Sequence, residues 1–253
     1  MGSGHNKLTI VALAVMGAGL GSLLHEGLGH GMTAWLRGDV VTELTSNHLN
    51  SMHEDRLVDA AGTLVNLAAG LVFLFAARAA GGRANLRYFL WFMAALNLLS
   101  GAGYFLFSGV LGLGDWAQVI SGFPHQGALR VAMAATGAML YVVFLRWIVL
   151  ELHPFCPDRR AYNTVARLPY LAACGFMCIA GALDPMGLKL FFLSTVPAAF
   201  GGLSGLLWGD VFLLRVPAAE RLIVQRSVSA WITAALLGAV FVTVVGAGID
   251  FRH

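Results

Sequence analysis

Apolar stretches of about twenty residues, the length that crosses the hydrocarbon of a bilayer, recur from one end of this chain to the other. They cover residues 8–36, 57–80, 88–111, 128–151, 168–184, 187–214 and 227–249 of 253. In lipid a spanning segment must satisfy its own backbone N–H and C=O groups, which helices do and open strands do not. The expected fold is therefore an all-α polytopic membrane protein of about six to seven transmembrane helices. Composition agrees: 58% of residues are hydrophobic, and only 16 are Lys or Arg and 13 Asp or Glu. The first stretch is too long, and too polar at its centre, for a cleaved signal peptide, and reads as a span.

Lys7, Arg78, Arg83, Arg87, Arg159, Arg160, Arg167, Arg215, Arg221 and Arg226 fall on one side of these spans, against Arg37, Arg56, Arg130, Lys189 and Arg252 on the other. The positive-inside rule then places the N-terminus in the cytoplasm. The net charge of +3 is spread over the loops, and without a basic cluster no nucleic-acid partner is expected. Cys156, Cys174 and Cys178 form no disulfide framework. Cys174 and Cys178, four apart on one helix face, suit packing better than a redox or metal pair. No linker or inserted soluble module divides the chain, which reads as one membrane domain. A polar segment, 37–56, carries the β-branched run Val40, Val41, Thr42 and is expected to form a strand or hairpin at the membrane surface. The sequence leaves the oligomeric state open.

The first span contains "LLHEGLGH", residues 23–30. Three ionisable side chains in six residues of a spanning helix are costly, about 2.5–3.5 kcal/mol for each charged group at the helix centre, and call for a compensating partner. Zinc is one: imidazoles supply ligands, and the adjacent carboxylate of Glu26 serves as general base toward the water the metal activates. The spacing is wrong for a regular helix, because residues five apart lie about 140° apart, against about 40° for residues four apart. A π-bulge between His25 and His30, centred on Gly27 to Gly29, would return both imidazoles to one face. The alternative reading is a hydrogen-bonded polar cluster between helices, or a proton path.

"HEGLGHGMTAWLRGDVV" resembles the first motif of the site-2 protease family of intramembrane zinc metalloproteases, with Gly29-His30 as its G-H and Gly38 ahead of Val40-Val41. "AAGTLVNLAAGL", residues 60–71, resembles that family's small-Gly-Pro-x-x-Asn segment, with Thr63 in place of Pro and Asn66 as the Asn. "NLLSGAGYFLFSGVLGLGDW", residues 97–116, resembles the region that supplies the third zinc ligand, with Trp116 in place of the Gly after the aspartate. The resemblance implies a divergent member with a metalloprotease-like core in residues 1–125 and additional helices of the same membrane domain in 126–253. It implies one Zn2+ held by His25, His30 and Asp115, Glu26 as general base, and a single-span membrane protein as substrate within the lipid.

Depth fits this assembly. His25 lies about eleven residues before the end of the first span and Asn66 about nine into the second, so both lie roughly 14–17 Å from one membrane face. To reach them, Asp115 needs its segment to turn inward, which Gly101, Gly103, Gly109, Gly112 and Gly114 would allow as an unwound, re-entrant stretch. Asn66 reads either as an oxyanion donor or as an amide packed between helices. Asp184 is a second option for the third ligand, and His48, His53, Glu54 and Asp55 for a surface metal site, with a solvated loop as the plainer account. Two further functions stay open: a non-catalytic membrane regulator, chaperone or transporter on the same scaffold, and a zinc hydrolase of a small amphiphile.

Overall fold

The computed structural model describes residues 4–53, 55–213 and 220–252; Glu54 and Arg215 lie outside them. Among the described residues, six helices are long and apolar enough to cross a membrane: α1 (Lys7–Leu36), α2 (Arg56–Ala79), α3 (Ala84–Leu111), α5 (Gln126–Glu151), α6 (Arg159–Gly181) and α8 (Val228–Gly246). Between them lie the short helices α4 (Asp115–Val119) and α7 (Gly187–Gly202). Their starts follow local chemistry. The side chains of Asn6, Asp55 and Ser227 accept from Thr9 N, Leu57 N and Ala230 N, capping α1, α2 and α8. At the other end of α3, Gly112 takes a left-handed conformation (φ 70°) that stops the helix.

The central helix is α3, whose Tyr88, Trp91, Phe92, Leu98 and Leu99 are fully buried. It packs between α2 and α5. Its buried polar tips are paired: Trp91 Nε1 donates to Ile148 O (2.8 Å) and Tyr88 OH to Val165 O (2.7 Å).

Asn6 N donates to Val224 O and Leu222 N to Pro154 O, while His5 Nε2 meets Phe155 O at 2.9 Å, so the N-terminus, the 153–156 turn and the 220–227 segment share one face of the bundle. The opposite face carries a three-stranded sheet of order β2-β1-β3, from β1 (Val41–Leu44), β2 (Leu49–Ser51) and β3 (Ile249–Asp250). The β1–β2 hairpin is the one expected from Val40 to Thr42, with a bulge between Val41 and Glu43. The C-terminal strand β3 pairs antiparallel to β1, Glu43 opposite Asp250 and Leu44 opposite Ile249.

The expected continuous span over 187–214 is corrected. At 1.5 Å per residue α7 is about 24 Å long, short of the roughly 30 Å of hydrocarbon. It begins beside the sheet, near Asp184, and the chain then steps through short 3-10 turns to Asp210, which pairs with Arg159 and Arg167 on the far face. Over the described residues the chain therefore traverses the bundle seven times, the sixth in broken pieces. Proline and glycine explain the break: Pro197 opens the last α-helical piece, and Gly201, Gly202, Gly205 and Gly209 follow. Side chains take up the exposed carbonyls. Cys174 Sγ donates to Ala199 O, Tyr170 OH to Phe200 O, Tyr141 OH to Gly202 O, and Arg167 Nε to Leu207 O, all at 2.8–3.1 Å. Irregular backbone inside a membrane domain is tolerated only when it is satisfied in this way or faces a cavity.

Candidate metal centre

Residues Leu23–Gly31 of α1 form a nine-residue π-helix. The distortion expected between His25 and His30 is present and longer than a single bulge. Its i→i+5 bonding brings residues five apart to neighbouring positions on one face, and the imidazoles meet edge to face with centroids 4.8 Å apart. Only one of the two expected glycines is needed for space. A Cβ on Gly29 would lie 2.5 Å from Gly62 Cα of α2, whereas nothing lies within 4 Å of one on Gly27. Gly62 in turn clears the apex: a Cβ there would collide with His30 Nε2 and lie 2.7 Å from His25 Cε1.

Asp115 joins the two histidines, as expected, but by a different route. Helix α3 stays helical through Leu111, so Gly101, Gly103 and Gly109 do not unwind it; Gly101 and Gly109 make room for Leu67 and for the backbone of α5. The reversal is confined to Gly112 and Gly114, at φ 70° and 81°. It lets α4 begin at Asp115 and fold back under the α3 terminus. Arg130 of α5 caps that terminus, donating to Gly109 O (3.1 Å) and Val110 O (2.7 Å). Trp116 packs on Phe105 with centroids 4.4 Å apart.

His25 Nε2, His30 Nε2 and Asp115 Oδ2 form a triangle with sides of 3.2, 3.2 and 3.5 Å. Metal–ligand bonds of about 2.0–2.2 Å at a tetrahedral angle separate ligand atoms by roughly 3.3–3.6 Å, so the three atoms fit one zinc-sized ion. Among the described residues this is the one His/Cys/Asp/Glu group able to hold a metal ion. Both histidines are buried, and His30 Nδ1 lies 2.7 Å from Val58 O, the outer hydrogen bond typical of a ligating imidazole. Burial opposes ionisation of Asp115, but its contacts with His25 and His30 outweigh that and hold its carboxyl well below the usual carboxylate range.

Glu26 is 5% exposed and lines the same cavity as the triad. Asn66, expected as an oxyanion donor or a packed amide, has its Nδ2 3.1 Å from His25 Nδ1. Sequence reasoning missed Tyr104, whose ring stacks on His25 (4.6 Å between centroids, 16° between planes). The signal was faint: one polar aromatic in the small-residue run "SGAGYF". Also missed were Val58, which acts through its carbonyl and so has no side-chain signature, and Gly62 as the residue that clears the ligand apex.

The cavity has a volume of about 910 Å³ and runs from the triad between α3, α5 and α6 to the broken crossing, whose residues from Ser194 to Ser204 wall its far side. The turn of the β hairpin closes one flank, with Ser46, Asn47 and His48 on the lining. His48 lies 3.3 Å from both Glu43 Oε2 and Asp184 Oδ2, one on each ring nitrogen, and Asn47 Nδ2 also donates to Asp184. Asp184 is thus a tie between the hairpin and the loop after α6, not a partner of His25 and His30. Burial works against a charged His48, but Asp184 and Glu43 outweigh it and raise its pKa, while His48 lowers that of Asp184 against the same opposition.

Among the described residues, the expected surface metal site does not assemble from His48, His53 and Asp55. His53 pairs with Asp39 (2.9 Å) and Asp55 with Arg37 (2.8 Å), each away from His48, and Glu54 lies outside the described residues. The three cysteines are free, with Cys174 buried against the broken crossing. No protein-family model, no curated protein and no solved structure matches this chain.

Proposed function

We propose that this chain is an intramembrane zinc metalloprotease of the site-2 protease type, divergent in sequence, that cuts a single-span membrane protein within the lipid. The observation that carries this reading is the ligand triangle of His25, His30 and Asp115 with Glu26 beside it, opening onto a cavity inside a helical membrane domain. When bound, zinc supplies Lewis-acid activation of a water and of the scissile carbonyl. The protein's own groups do the rest. Glu26, one residue from His25 and outside the triangle, would take a proton from the nucleophile and return it to the leaving amine. With the balance of Lys and Arg, the N-terminal face lies toward the cytoplasm.

Detergent-purified protein should carry about one equivalent of zinc, and a His25→Ala, His30→Ala double variant none. Glu26→Gln should keep the metal and lower activity by about 10²–10⁴-fold. Pulled from membranes, that variant should enrich full-length single-span proteins that the parent chain yields as shortened forms. Equal recovery of intact partners on both would point to a non-catalytic scaffold, and a Glu26-dependent lipid product to a hydrolase of small amphiphiles.

A further inference from the structure

The two histidines of the triad are oriented by different means. His30 Nδ1 faces Val58 O, which only accepts, so Nδ1 carries the proton and Nε2 offers its lone pair toward the triad. His25 Nδ1 faces the NH2 of Asn66 at 3.1 Å, while Asn66 Oδ1 is buried with no donor in reach. A half-turn of the amide exchanges its two nearly isosteric ends. It brings Oδ1 onto Nδ1–H, gives the unpaired oxygen a donor and frees Nε2.

We infer that Asn66 is the positioning residue that sets the tautomer of His25, its amide oxygen accepting from Nδ1–H so that Nε2 is free for a metal. The inference rests on the metal reading above. It follows from the architecture of α2, where Val58, Gly62 and Asn66 are four residues apart and share one stripe. That stripe supplies the carbonyl for His30, the space at the ligand apex, and the amide for His25. The bond to His30 is made by backbone, and the bond to His25 by a side chain. The proton of one ligand is therefore set by a residue that no metal atom touches.

The test uses the full chain in detergent and Zn2+ alone, with affinity read by chelator competition, for the parent, Asn66→Ala, Asn66→Leu and Asn66→Asp. Loss of an outer hydrogen bond to a ligating histidine weakens metal binding about 10–100-fold, the effect expected for Asn66→Ala and Asn66→Leu. Asn66→Asp offers only acceptor oxygens to Nδ1–H, and should bind as tightly as the parent or more tightly. Cobalt spectra of the same shape in all four would show that the three ligands are unchanged, which a merely misfolded variant would not give. Ala and Leu variants with parental affinity, or an Asp variant as weak as they are, would overturn the inference and leave the metal site standing. A parent chain with no zinc affinity would remove the proposed function, and this inference with it.

Discussion

At the scale of single residues, the site depends as much on what is absent as on what is present. A methyl group at Gly62 would enter the space shared by His30 Nε2 and His25 Cε1. Gly62→Ala should therefore lower zinc affinity by tenfold or more while the helices still assemble, since overpacking of this kind costs about 1–3 kcal/mol. Equilibrium dialysis against zinc, read beside thermal unfolding, separates the two effects; parental zinc affinity in the variant would contradict the assignment. The motif "HEGLGH" showed His25, Glu26 and His30 directly, because charged groups in an apolar helix stand out. Tyr104 and Val58 did not, since a stacking ring and a backbone carbonyl become partners only when helices distant in sequence meet.

At the scale of elements, two ties are measurable. The hairpin turn is held by His48 between Glu43 and Asp184, with Asn47, Asn50 and Thr45 also bonded into the cluster and Glu26 nearby across the cavity. The raised pKa of His48 makes its contribution full below about 6.5, its ordinary value, and lost as pH rises through the higher folded value. The lowered pKa of Asp184 makes its contribution present above about 3.9 and lost as pH falls through the lower folded value. Protection of hairpin amides 41–51 from hydrogen exchange should thus peak between about pH 4 and 6.5 and decline on both sides; Asp184→Asn should flatten the profile. The second tie is Tyr141, whose OH donates to Gly202 O (2.9 Å) and accepts from Gly205 N (2.8 Å) across the break in the sixth crossing. Tyr141→Phe leaves both backbone groups short of a partner and should cost about 1–3 kcal/mol. Denaturation in mild detergent measures that loss, and a change within error would show that the break holds itself.

For the whole molecule, the number of crossings fixes where the ends lie. Seven traverses place the N-terminal segment, joined to Val224, and β3, joined to β1, on opposite faces. On the orientation proposed above, with the N-terminus cytoplasmic, a reporter fused after residue 252 should respond as non-cytoplasmic. A single cysteine introduced into the exposed Arg37 position should label from that same side, after the native cysteines are replaced. Labelling of both termini from one side would reduce the crossings to an even number. The same closure brings α8 and β3 back to the hairpin, so the flank of the cavity is built from the first and last parts of the chain.

Hydropathy by itself determined the all-α membrane fold and the approximate bounds of six helices, because lipid leaves a backbone no other way to satisfy its polar groups. It also determined where the costly charges sit, and with them His25, Glu26 and His30. Only the tertiary structure decided that residues 187–212 cross in pieces, since the side chains of Tyr141, Arg167, Tyr170 and Cys174 that hold the loose carbonyls come from other helices. Only it separated Asp115 from Asp184, two aspartates in similar local sequence whose partners depend on how helices pack. And only it turned Asn66 toward His25, because the contact joins positions 41 residues apart through a stripe of α2 that no local pattern in the sequence reveals.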